Sequence, residues 1–173
     1  HHIQSIHNVT EYFQHDPEVL ALLLGGSIAH GFETEASDID IMIFVSDADY
    51  QKRFAENRVH FFNMDLVTYP GGYVDGKYST RSFVQQVSEK GSEPARFAFA
   101  GCQILFNKMD GFAEDVLKAA GYPQAGKAER IQRFYAQFEA WHWYSGEALR
   151  LNNRYLLGTS ISKFILFSGR LIL

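Results

Sequence analysis

Apolar positions along the first half of the chain follow two different periods. Ile3, Ile6, Val9 and Phe13 recur at helical spacing, so residues 3 to 15 read as a short amphipathic helix. Asp16-Pro17 ends it, because the residue before a proline is pushed out of the helical region. Val19 to Gly25 is a continuous apolar run and reads as a buried strand. Residues 38 to 46 form a second strand, Ala48 to Asn57 a connecting helix, and Val59 to Thr68 a third strand. Tyr69-Pro70-Gly71-Gly72 breaks the pattern. Tyr73 to Tyr78 reads as a short strand or a loop.

Helical spacing returns over 79 to 90 and 94 to 100, and Gln103 to Asn107 reads as one more strand. Helices follow at about 110 to 120 and at 126 to 151. In the longer one Ile131, Phe134, Phe138, Trp141, Ser145 and Leu149 form one stripe, the mark of a packing helix. Residues 159 to 173 are apolar nearly all round and are expected to be buried. The expected fold class is α/β (α+β), a small mixed sheet flanked by helices with a helical C-terminal part. The expected division is an α/β domain over 1 to 108 and a helical domain over 109 to 173.

Composition narrows the partners. The chain has 173 residues, 46% hydrophobic and 15% aromatic, enough for a core. Its formal net charge of −4 argues against a general nucleic-acid surface, which would be basic. The single cysteine, Cys102, excludes an internal disulfide and fits a reducing cytoplasm. There is no uninterrupted apolar run of membrane-spanning length. The chain lacks an initiator Met, and His1-His2 reads as the remnant of a tag. It stops inside an apolar periodic segment at Leu171-Ile172-Leu173, so the helical part is expected to continue beyond it.

The chemistry concentrates between residues 24 and 45. The first strand enters a Gly25-Gly26-Ser27 turn, and the second opens on Asp38-Ile39-Asp40. Residues i and i+2 of a strand share a face, so Asp38 and Asp40 lie side by side while Ile39 and Ile41 turn into the core. Two carboxylates that close repel one another, and a hard divalent cation such as Mg²⁺ relieves the repulsion. Gly25 and Gly26 let the backbone bend sharply and let a ligand approach. Free N–H groups at the start of the following helix suit phosphate. An anion cradle beside a metal-binding pair is what phosphoryl or nucleotidyl transfer needs.

Gly26-Ser27, twelve positions from Gly26 to Asp38 and then Asp-x-Asp resemble the signature of the DNA polymerase beta-like nucleotidyltransferase superfamily. Ser27-Ile28-Ala29-His30-Gly31 is similar to the small bacterial branch, with His30 standing where that branch's motif has Arg. That branch includes aminoglycoside and lincosamide nucleotidyltransferases and the minimal nucleotidyltransferases of toxin–antitoxin pairs. The resemblance implies a nucleotidyltransferase fold and two Mg²⁺ ions, with Mn²⁺ as a substitute. It implies Asp38 and Asp40 as metal ligands, a third carboxylate from the next strand, which here is Asp65, and triphosphate binding by Gly26 and Ser27. It also implies a lysine brought to the triphosphate by the helical part. Lys163 is the candidate, on a polar stripe with Ser160 and Arg170.

Other charged groups carry weaker signals. Asp75-Gly76-Lys77 reads as a tight turn in which Lys77 could touch phosphate and Asp75 a substrate amine. His30 reads as a local hydrogen-bonding residue, and no spacing selects a general base among Glu93, Glu147 and the other glutamates. The expected activity is metal-dependent transfer of a nucleoside monophosphate from a nucleoside triphosphate to a hydroxyl of a small molecule, an antibiotic being one such acceptor. The alternatives are adenylylation of a partner protein and a catalytically silent nucleotide-binding module.

Overall fold

The computed structural model describes residues 1–172, which fall into two compact units, His1–Tyr122 and Pro123 onward. Among the described residues the first unit holds α1 (His2–Gln14), β1 (Ala21–Leu24), α2 (Gly26–His30), β2 (Ile39–Phe44), α3 (Asp47–Ala55), β3 (His60–Asn63), β4 (Val74–Ser79), α4 (Arg81–Lys90), α5 (Glu93–Phe99), β5 (Gln103–Asn107) and α6 (Phe112–Ala120). The sheet order is β3-β4-β2-β1-β5. β1 runs antiparallel to β2 and β5, β4 lies parallel to β2, and β3 is antiparallel to β4 at the edge. The sheet is mixed, as the sequence indicates.

β1 is buried on both faces because both faces of the sheet are covered. Alternation sends Leu22 and Leu24, with Ile39, Ile41 and Ile43 of β2, to one face, where Val9 and Phe13 of α1 close the core. Ala21, Leu23 and Phe44 face the other way, against Val84 and Val87 of α4, Phe99 of α5 and Phe112, Val116 and Ala119 of α6. Asp40 and Met42 share that second face and are only half-buried, Met42 packing against the edge of that cluster.

Two elements differ from the sequence reading. β3 ends at Asn63 rather than running to Thr68. The Asn63 side-chain oxygen accepts the N–H groups of Asp65 at 2.8 Å and Leu66 at 3.0 Å. That local bond turns the chain out of the ladder. Asp75-Gly76-Lys77 is not a turn: it is the middle of β4, paired along β2. Gly76 suits that place because a Cβ there would come within 2.8 Å of Ile41 Cγ1.

α6 packs with α4 and α5, so the first unit closes at Tyr122 and not at the 108/109 division expected. The second unit is a pair of helices, α7 (Lys127–Arg150) and α8 (Arg154–Ile172). Ring contacts of Phe134 with Phe167 and of Phe138 with Phe164 join them, and Ala148 and Ser160 are buried. Ile131 and Leu149, at the ends of the stripe, stay exposed, as do Ile161, Ile165 and Leu166 of α8. The complete burial expected of this last segment is therefore not seen, since one partner helix covers one face. Among the described residues no helix is long and apolar enough to cross a membrane.

Arg96 of α5 is buried, and its guanidinium donates to the carbonyls of Ser88, Gly91, Ala119 and Gly121. It ties the end of α4 to the end of α6, the platform on which α5 sits. Removing it takes the donor from the buried Ala119 carbonyl and from three part-buried ones. Arg96→Met is expected to lower unfolding free energy by about 2–4 kcal/mol in urea titrations. A change below about 0.5 kcal/mol would show that those carbonyls need no guanidinium.

Candidate active site

The site begins where β1 leaves the sheet. Gly25 N–H donates to the Asp40 carbonyl at 2.9 Å, which extends the β1–β2 ladder by one residue. The chain then reverses at Gly26, whose φ of +62° lies in the left-handed region. This backbone lies directly on Asp40: a Cβ on Gly26 would sit 1.8 Å from Asp40 Oδ2 and 2.7 Å from Asp40 Cβ. The second distance is to the root of the side chain, so rotating the carboxylate away leaves the clash in place. Residue 26 must be glycine for Asp40 to occupy its position.

Sheet register supplies the floor. Asp40 pairs with Asp75, and Met42 with Lys77, across the parallel β2–β4 ladder. Partners in register and residues two apart share a face, so Asp40, Met42, Asp75 and Lys77 point the same way. They line a cavity of about 450 Å³ with Gly25, Gly26 and Ser27 on one side and His30, Phe32, Phe97 and Ala98 on another. Asp38 lies just before β2, where its carboxylate accepts a hydrogen bond from the Tyr73 hydroxyl. Tyr69 steadies the same segment by donating to the Ser37 carbonyl at 2.5 Å.

The electrostatics are those of crowded anions. Burial pushes the Asp40 carboxyl above its ordinary value, and the neighbouring Asp38 and Asp75 push it further, while Lys77 pulls it back. The bond to Asp38 is the main cause that raises the Tyr73 phenol. Asp75 has its own partner on the neighbouring strand, since His60 Nε2 lies 2.7 Å from Asp75 Oδ1. Among the described residues no three His, Cys, Asp or Glu side chains converge tightly enough to hold an ion as they stand. The donor set itself is all hard oxygen, which fits a divalent ion such as Mg²⁺. His60 engages Asp75 Oδ1 and leaves Oδ2 without that contact.

The residues singled out from the sequence are thus divided. Gly26, Ser27 and Asp40 line the cavity, with Asp38 beside it. Asp65 does not: it is exposed in the turn after β3, where its backbone N–H donates to the Asn63 side chain. The carboxylate that the sheet brings to Asp40 is Asp75. Its signal lies in residues 74 to 79, where Val74 and Gly76 alternate with Asp75 and Lys77 at the period of a strand. Lys163 is exposed on α8, in the second unit, with Ser160 buried and bonded to its own helix. The Arg170 guanidinium lies over the Phe134 and Phe167 rings. The lysine of the cavity itself is Lys77. Cys102 lies outside the cavity lining, and burial pushes its thiol up to about 11.

His30 is held through one ring nitrogen. Its Nδ1 lies 2.7 Å from the Gly26 carbonyl, which can only accept, so Nδ1 carries the proton. Nε2 is buried and has no hydrogen-bond partner among the described residues.

Residues 7–69 match the family model described as Polymerase beta, Nucleotidyltransferase. The match runs from α1 to the turn after β3 and includes Gly26, Ser27, Asp38 and Asp40, but ends before β4. Among solved structures, a nucleotidyltransferase-like protein from Exiguobacterium sibiricum is similar over 99% of this chain, with a TM-score of 0.53 at 10% identity. This chain spans 56% of that protein's length. A toxin–antitoxin structure with AMP-PNP is similar over 76% of this chain and 96% of its own, with a TM-score of 0.39 at 16% identity. No curated protein matches the sequence.

Asp40 supplies a stability test independent of any ligand. Its folded-state pKa is raised, so the ionised carboxylate is less favourable in the fold than in the unfolded chain. The resulting penalty is absent in acid. It sets in as pH rises from the unfolded value through the higher folded one, and is complete at neutral pH. Asp40→Asn is therefore expected to melt higher than wild type at about pH 7, with the gain shrinking toward about pH 3. Loss of stability at neutral pH would mean that Asp40 is a structural anion instead.

Proposed function

Taking the chain as a member of the DNA polymerase beta-like nucleotidyltransferase superfamily, we propose that it transfers a nucleoside monophosphate from a nucleoside triphosphate to a hydroxyl of a small molecule, releasing pyrophosphate. The family match over 7–69 supports nucleotidyl transfer. The observation that carries the site assignment is the register of Asp40 with Asp75 under the Gly25-Gly26 backbone, with Asp38 alongside.

In this reading Asp38, Asp40 and Asp75 hold divalent ions, Mg²⁺ first, with Mn²⁺ able to replace it. Such ions, when bound, neutralise triphosphate charge and lower the pKa of the attacking hydroxyl. Every other role falls to the chain. The side-chain-free surface at Gly25 and Gly26 admits the triphosphate against the backbone, and the Ser27 hydroxyl donates to it. Lys77 offers a positive charge on the same floor. His60 holds the Asp75 carboxylate in place from the neighbouring strand, so that Asp75 faces the cavity without a large entropic cost. The acceptor is small because the chain is acidic and its cavity has one lysine rather than a basic groove. Polyhydroxy antibiotics are among the molecules to try.

The test compares three carboxylates. Pyrophosphate release from ATP is followed across a panel of polyhydroxy acceptors, and Mg²⁺-dependent binding of a non-hydrolysable ATP analogue is measured in parallel. Asp40→Asn and Asp75→Asn are each expected to lower turnover by about 100-fold or more while remaining folded. Asp65→Asn is expected to behave as wild type. Loss of activity in Asp65→Asn with retention in Asp75→Asn would reverse the assignment.

A further inference from the structure

The metal and phosphate roles use the floor of the cavity and its glycine turn. They leave one wall unexplained. Phe32 and Phe97 are large apolar rings that remain 73% and 60% exposed. Neither joins either core cluster, yet both line the cavity. They are also ordered with respect to one another through His30. The His30 ring stacks on Phe97 at 4.8 Å and 16°, and on Phe32 at 6.1 Å and 11°. Three rings drawn from two separate segments therefore stand nearly parallel.

The central rung is locked. His30 Nδ1–H is tied to the Gly26 carbonyl, and the ring edge packs on Gly101. Gly101 has a φ of +75°, and a Cβ there would come within 3.2 Å of His30 Cδ2. Because Gly26 also rests on Asp40, the ladder is held at a fixed offset from the carboxylate floor. Its outer faces are open to ligand, and apolar rings left this exposed beside a polar floor mark a surface that something planar covers.

We propose that His30, Phe32 and Phe97 form a stacking platform for a planar aromatic ring, the nucleobase of the triphosphate. This rests on the nucleotidyltransferase reading, which places phosphates at the Gly26 end of the same cavity. The cavity, about 450 Å³, is in the range of small-ligand pockets. The wall offers π-faces and the Ala98 methyl rather than side-chain donors or acceptors in a base-reading arrangement. Stacking of this kind tolerates any base and gains with ring area. The platform therefore selects purine over pyrimidine triphosphates and separates adenine from guanine weakly.

The experiment titrates the intact protein with three probes in Mg²⁺: a non-hydrolysable ATP analogue, the corresponding CTP analogue and inorganic tripolyphosphate. A single base covers the outer face of one phenyl ring, so one of Phe32→Ala and Phe97→Ala is expected to weaken the ATP analogue roughly 5- to 150-fold and the other to weaken it less. The CTP analogue loses less, and tripolyphosphate affinity does not change. Phe97→Trp, which keeps a π-face, is expected to restore ATP-analogue binding. Unchanged melting temperatures confirm that these exposed positions do not support the fold. If both Ala variants bind the ATP analogue as wild type does, the platform is refuted while the nucleotidyltransferase reading stands. If they raise only the KM for the hydroxyl acceptor, the wall takes the acceptor and the inference is overturned. If wild type binds neither the analogue nor tripolyphosphate, the underlying reading falls first.

Discussion

The contact between the Gly26 backbone and the Asp40 side chain sets the geometry of the first unit's cavity. The β1 ladder has to stop before Gly26, because that residue must take a left-handed conformation directly over a carboxylate. A side chain at 26 would displace Asp40 or push α2 off the sheet. From this one packing constraint follow the position of α2, the tie from Gly26 to His30 and the alignment of the aromatic wall. The glycine serves close approach as much as backbone freedom.

The second constraint is the parallel pairing of β2 with β4. It sets Asp75 beside Asp40 without any contact being needed between the two acids, and their mutual repulsion is one reason the Asp40 carboxyl is pushed up. A fold that concentrates negative charge at the end of a buried strand is unfavourable by itself. The core beneath compensates: Ile39, Ile41 and Ile43 are fully or almost fully buried on the other face. The unfavourable charge on one face and the packing on the other belong to the same six residues of β2.

Much of this was legible in the chain. The alternation in β2 and the unbroken run in β1 are local patterns, and they fix which residues are core and which face the cavity. The Gly-Gly-Ser turn and the two aspartates are likewise local, so the centre of the site can be read directly. Asp65 and Asp75 show where such reading stops. Whether Asn63 continues a strand or caps a turn depends on which acceptor its neighbours' N–H groups find, and an Asp-Gly pair reads as a turn until β2 is known to lie alongside it. Gly76 belongs to a strand because Ile41 occupies the space where its side chain would be. That is a contact between residues thirty-five positions apart, and no window of sequence contains it. The end of the first unit depends on the same kind of contact, because α6 packs in one core with α4 and α5.

The central claim is that Asp38, Asp40 and Asp75 together form a divalent-metal site, and anomalous diffraction locates metal directly. Crystals grown with Mn²⁺ and a non-hydrolysable nucleoside triphosphate would be measured at a wavelength where manganese scatters anomalously. The account predicts density between Asp38, Asp40 and Asp75, at the foot of the Gly25-Gly26 turn, with none at Asp65. Density at Asp65, or a bound triphosphate with no manganese at the three aspartates, would contradict it.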